Sequence, residues 1–258
     1  MKPVGIPVIA EDEEIAYLPM PSGMDVYTAP QLPEPEEMAD FLGAKAVLSK
    51  TREALAEGSG VVDIAHLGEG DRKLLGQILG EGEVSVRMDT GVMIQESLLT
   101  GVWQVRDGHD RIEVGPFPRG VIESAKASAR GIVFPEVMEG VMNAPSVLAE
   151  LLAKSEAGGT VAHVINLTLL PMSAGDMAFI ESVLGKGGVT ILSRGYGNCR
   201  ISSTQLPYVW WVQYYNSQDI RILDTLEVVD LPEVVRAAPE DIEDSLERLS
   251  EILQWVGI

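Results

Sequence analysis

Thiols and imidazoles are almost missing from this sequence. One cysteine, Cys199, serves the whole 258-residue chain, so no intramolecular disulfide can form. The histidines, His66, His109 and His163, lie far apart. A thiolate or imidazole metal site takes about three or four protein ligands, and building one here would use nearly every candidate. No dedicated transition-metal or iron–sulfur site, and no cofactor, is therefore expected. A carboxylate site stays open, but no spacing argues for one. No apolar run reaches the roughly 18 residues of a membrane span. The amino terminus, from Met1 to Pro7, lacks the apolar stretch and small-residue cleavage site of a secretory signal. A cytoplasmic protein without membrane insertion is the expectation. Basic residues are also scarce, 19 against 39 acidic, for a net charge of −20. That field repels phosphate backbones, so nucleic acid is not an expected partner. It either attracts basic segments or simply keeps the protein soluble.

What is present suffices for a core, since 46% of residues are apolar. Residues 1 to 40 are the exception, with Glu11 to Glu14, Pro30, Pro33 and Pro35 reading as a proline- and acid-rich arm. Ile15, Tyr17 and Leu18 are its candidate docking residues.

From there the chain states one pattern twice. Ala44-Lys45-Ala46-Val47-Leu48 is answered by Ala144-Pro145-Ser146-Val147-Leu148, and Val61-Val62-Asp63-Ile64 by Val164-Ile165-Asn166-Leu167. Asp71 with Leu74, Leu75, Ile78 and Leu79 matches Asp176 with Phe179, Ile180, Val183 and Leu184, 105 positions later (71 to 176). Glycine turns follow at Gly80/Gly82 and Gly185/Gly187. Val102-Trp103 then matches Val209-Trp210, and Glu113-Val114 matches Glu227-Val228. Matches that keep their order point to an internal duplication of about a hundred residues, too long a period for a solenoid unit. The expected fold is α/β of the α+β kind. Two pseudo-equivalent helix–strand–helix–multistrand units occupy 41–135 and 136–258, behind the arm at 1–40. Asp71 and Asp176 suit helix amino termini. A last helix begins at Pro239, and its stripe of Ile242, Leu246, Leu249, Ile252, Leu253 and Val256 belongs to the core or to a partner-binding face.

Reactive chemistry is hard to assemble from these residues. The stretch Arg194-Gly195-Tyr196-Gly197-Asn198-Cys199-Arg200 is either a tight turn or a nest of backbone N–H groups flanked by cations. Its counterpart in the first copy, Arg87 to Val92, lacks the pattern. Cys199 as a nucleophile would need a histidine base held by a third group, and nothing brings His163 to it. The glycine pairs follow helices instead of preceding them, so they are turns and not phosphate loops. Trp210-Trp211 through Tyr214 and Asn216 form an aromatic strand, packed on both faces or exposing one as a protein-binding patch.

These same blocks carry a family likeness. His163-Val164-Ile165-Asn166-Leu167, Ser193-Arg194-Gly195-Tyr196-Gly197-Asn198-Cys199-Arg200-Ile201, Val209-Trp210-Trp211-Val212-Gln213-Tyr214-Tyr215-Asn216 and Glu227-Val228-Val229-Asp230-Leu231-Pro232 resemble the HupH/HyaF family. The likeness is strong over roughly 160–255 and weaker through the first copy. Its members are accessory proteins of nickel–iron hydrogenase maturation. The resemblance implies a cytoplasmic, chaperone-like factor that handles the hydrogenase small-subunit precursor during iron–sulfur cluster assembly and before export. Other hydrogenase accessory proteins would be further partners. It carries over no catalytic residue. The candidate partner-binding set is therefore Arg194, Gly195, Tyr196, Gly197, Asn198, Cys199, Arg200, Trp210, Trp211, Tyr214 and Asn216. A Cys199-dependent enzyme, redox factor or iron–sulfur transfer factor is the alternative.

Overall fold

Short runs of alternating or wholly apolar residues, rich in valine, isoleucine and tryptophan, become strands of a single ten-stranded sheet in the computed structural model. The structure describes residues 41–136, 139–195 and 197–255; the expected arm at 1–40 lies outside them. The strands are β1 (Gly60–Asp63), β2 (Val84–Met88), β3 (Met93–Glu96), β4 (Val102–Arg106), β5 (Arg111–Val114), β6 (His163–Asn166), β7 (Val189–Ser193), β8 (Asn198–Ser203), β9 (Val209–Tyr215) and β10 (Arg221–Val228). Their order is β1-β5-β4-β3-β2-β7-β8-β9-β10-β6, and every neighbouring pair is antiparallel. The sheet reads the same from either edge: first strand of a half, then fifth, fourth, third and second. The halves meet where β2 pairs with β7, and there Val86 faces Ile191.

Among the described residues six α-helices accompany it: α1 (Leu42–Ala56), α2 (Glu69–Leu79), α3 (Val121–Ser128), α4 (Ala144–Glu156), α5 (Ala174–Leu184) and α6 (Pro239–Trp255). Each half thus runs helix, strand, helix and four strands. The start of α5 is fixed by a capping box, with the Ser173 hydroxyl accepting from the Asp176 N–H and Asp176 accepting from the Ser173 N–H. Both α2 and α5 stop at a glycine with positive φ, Gly80 at 57° and Gly185 at 55°, a conformation that a Cβ disfavours.

Alternation along the strands sorts side chains onto two faces. On one, Val84, Val86, Ile94, Trp103, Val105, Val189, Ile191, Ile201, Trp210 and Val212 form a continuous cluster, capped by Val121 and Ala125 of α3 and by Leu231 and Val235. The opposite face carries two separate clusters. Near β1, α1 and α2 pack on Val62, Val102, Ile112 and Val114. Near β6, α4 and α5 pack on Ile165, Val209, Leu226 and Val228. The last helix crosses over: Leu249 and Leu253 of α6 are buried in the cluster of α1 and α2, with Ile242, Leu246 and Ile252 against it. The stripe read from sequence is core, and that core belongs to the other half; Val256 lies outside the described residues.

Candidate functional site

The candidate set centres on the β7–β8 hairpin. Antiparallel pairing of Ser193 with Cys199 leaves Arg194, Gly195 and Gly197 in the connection, where Gly197 takes φ 97°. The connection lies against the residue before β2: the Arg194 N–H donates to the Glu83 carbonyl at 3.1 Å. A Cβ on Gly195 would strike the Glu83 carboxylate. The Arg194 side chain is exposed. Tyr196 lies outside the described residues. Asn216 turns the β9–β10 hairpin, its side-chain oxygen accepting from the N–H groups of Gln218 and Ile220 at 2.9 and 3.0 Å.

The remaining candidates divide between the two faces. Cys199, Trp210 and Tyr214 point into or against the continuous cluster, where Cys199 is 1% exposed and Trp210 2% exposed. The Trp210 indole N–H donates to the Val229 carbonyl at 3.1 Å. Arg200 and Trp211 point to the opposite face, both half-buried. The Trp211 indole N–H donates to Asp224 at 2.8 Å, and Gln213 and Arg221 bind the same carboxylate at 3.2 and 3.0 Å. The sheet therefore separates this set, and one ligand can meet Arg200 with Trp211 but not Arg200 with Cys199.

Around Cys199 the electrostatics disfavour thiolate. Burial, with the Glu227 carboxylate nearby, pushes the thiol up to about 12, against the pull of its hydrogen bond with Tyr214. Tyr214 is likewise pushed up to about 12 by burial and by Cys199. Burial also raises Glu227. The expected imidazole is elsewhere: His163 sits on β6, three strands or about 14 Å across the sheet and also offset along it, bound to Glu150 at 2.7 Å. A nucleophile needs both a base and a stabilised anion, and Cys199 has neither here. Among the described residues, no group of three or more His, Cys, Asp or Glu is placed to hold a metal ion.

Sequence reasoning passed over other residues on the face shared by Arg200 and Trp211. Arg87 on β2, Met93 on β3 and Arg106 on β4 lie side by side on the same face, since Met93 pairs with both Arg87 and Arg106. All three are exposed. Gln95 and Gln104 edge this strip and donate to the Gly82 and Gly80 carbonyls at 3.1 and 2.9 Å, tying it to the end of α2. Alternation with Val84 and Val86 put Arg87 opposite the core, but only the strand order shows which polar positions become neighbours.

Comparison with known proteins gives this arrangement its context. A family model described as the C-terminal conserved region of the HupH hydrogenase expression protein matches residues 141–256. The hydrogenase expression/formation protein HoxQ of Cupriavidus necator is 49% identical over 96% of this chain and 94% of its own length. The chain belongs to the HupH/HyaF family. Within that family, the hydrogenase expression/formation protein HupH of Rhodobacter capsulatus is 46% identical over 95% of this chain and 92% of its own. The hydrogenase-1 operon protein HyaF of Escherichia coli is 33% identical over 95% and 93%. A solved structure, the hydrogenase expression protein HupH from Thiobacillus denitrificans, is 28% identical with a TM-score of 0.40, covering 45% of this chain and 97% of that one. The HupH/HyaF likeness expected from residues 160–255 thus extends through the first half. Among the described residues, no helix is long and apolar enough to cross a membrane.

Proposed function

We propose that this hydrogenase expression/formation protein is a non-catalytic, cytoplasmic assembly factor. In this reading it binds the hydrogenase small-subunit precursor while its iron–sulfur clusters are installed and before export. The observation that carries the reading is family membership along nearly the full chain, with relatives named for hydrogenase expression and formation. The buried, protonated Cys199 supports a binding role over a covalent or redox one. The experiment is a pull-down with the tagged full chain from cells making hydrogenase. Recovery of the small-subunit precursor is expected, and its absence with folded bait would overturn the assignment. Reversing charge at Arg194 and Arg200 should weaken capture. Replacing Cys199 with alanine should leave both capture and hydrogenase activity in place; lost activity with capture intact would instead point to thiol chemistry.

The two halves fit an internal duplication. Support comes from the strand order, identical from either edge, and from Val86 facing Ile191, 105 positions apart (86 to 191). Further support comes from a repeated carboxylate contact: Asp71 accepts from the Ala44 N–H at 2.7 Å, and Asp176 from the Ala144 N–H at 2.9 Å.

A further inference from the structure

Among the described residues, nothing packs over the middle of the sheet face that carries α1, α2, α4 and α5. Two apolar clusters hold α1 and α2 near one edge and α4 and α5 near the other. Between them the side chains of β3, β2, β7 and β8 stay exposed or half-buried: Met93, Arg87, Thr190, Leu192 and Arg200. Four strands at about 4.8 Å spacing span about 14 Å, room for a single segment, since a helix with its side chains is about 10–12 Å wide.

The charge of this strip is opposite to that of the molecule. The chain carries 39 acidic residues against 19 basic. Yet no Asp or Glu occupies a position of β2, β3, β4, β7, β8 or β9 that points to this face; Asp224 on β10 stands at the border, engaged by Trp211, Gln213 and Arg221. Arg87 and Arg106 flank Met93, which is 50% exposed. Neither arginine forms a salt bridge with a described residue. Two strand spacings separate them, about 10 Å. Acids border the strip only at strand ends, where Glu83 precedes β2, Asp89 follows it and Asp107 follows β4, and Asp107 is engaged by Arg111.

We propose that this open strip is a docking groove for an acidic segment of a partner protein, its carboxylates paired with Arg87 and Arg106 and its apolar side chains on Met93 and Leu192. The proposal names a surface and a ligand chemistry, and it holds whichever hydrogenase-related protein supplies the segment.

The test places photoreactive benzoylphenylalanine at position 93 of the full chain, in cells making hydrogenase, and identifies the cross-linked peptide by mass spectrometry. A partner peptide with an excess of Asp and Glu is expected. Its yield should fall roughly tenfold when Arg87→Glu and Arg106→Glu are combined, and stay unchanged with the control Arg130→Glu. The pair Arg87→Gln with Arg106→Gln, checked for an unchanged melting temperature, separates lost charge from lost folding. No adduct, a basic peptide, a second copy, residues 1–40 of the same chain, or a yield indifferent to charge reversal would each overturn the groove. An acidic adduct from a protein other than the small subunit would support the groove while the pull-down decides the small-subunit reading. Small-subunit capture without such an adduct would sink the groove alone.

Discussion

Asp176 joins two helices through one carboxylate. It is fully buried, and its Oδ1 accepts from the N–H groups of Met142, Asn143 and Ala144 at 2.7, 2.8 and 2.9 Å. Burial alone would raise its pKa, but these donors and those of Ser173 outweigh it and hold the carboxyl well below the usual carboxylate range. A depressed pKa contributes stability above the unfolded value of about 3.9, and that contribution fades as pH falls through it. Asp176→Asn should therefore cost about 2–3 kcal/mol at pH 7. Below about pH 3 the gap between variant and parent should narrow; thermal melts across pH check both, and a gap constant down to pH 2 would sink the account. Glu96 behaves oppositely. Burial, with Glu83 and Asp241 adding repulsion, raises it from 4.5 to about 7, against the Gly101 N–H. Stability tied to its proton is complete below 4.5 and lost as pH rises through about 7. Glu96→Gln should accordingly melt higher than the parent at pH 8, by about 2 kcal/mol or less, and no higher at pH 4.5. Equal shifts at both would contradict the assignment.

Among the elements, α6 is where local and tertiary information part. Its amino-terminal acids and its apolar stripe are legible in the residues, because a helix of 3.6-residue period must bury one side. Its destination is not: nothing in Leu249 or Leu253 says that the facing cluster comes from α1 and α2. Leu249→Ala and Leu253→Ala should each destabilise by about 2–4 kcal/mol. If the wall they form joins the two halves, either change should expose amides of α1 to hydrogen exchange; faster exchange confined to α4 and α5 would refute that. The strands taught the same lesson. Alternation in Val209-Trp210-Trp211-Val212 divides the tryptophans between faces, yet the candidate set read along the chain mixed residues that the sheet holds apart. Asp71 and Asp176 were readable as amino-terminal helix residues, but their reach to the preceding helix is a tertiary contact beyond any local pattern.

At the scale of the molecule, the β2–β7 pairing and the crossing of α6 bind the halves through backbone and core together. Heat should unfold residues 41–255 in a single calorimetric transition; two resolved transitions would mean that the halves fold independently. The charge of −20 works against compactness at low ionic strength. Raising salt from about 20 to about 500 mM should raise the melting temperature through screening, and a fall would show that attractive pairs outweigh self-repulsion. The crossing also bears on how the chain is made. A ribosome releases residues 41–114 long before α6, so the first hydrophobic core must wait, one wall missing, until α6 has emerged. Truncation by a premature stop near residue 238 would thus damage the half that was translated earliest.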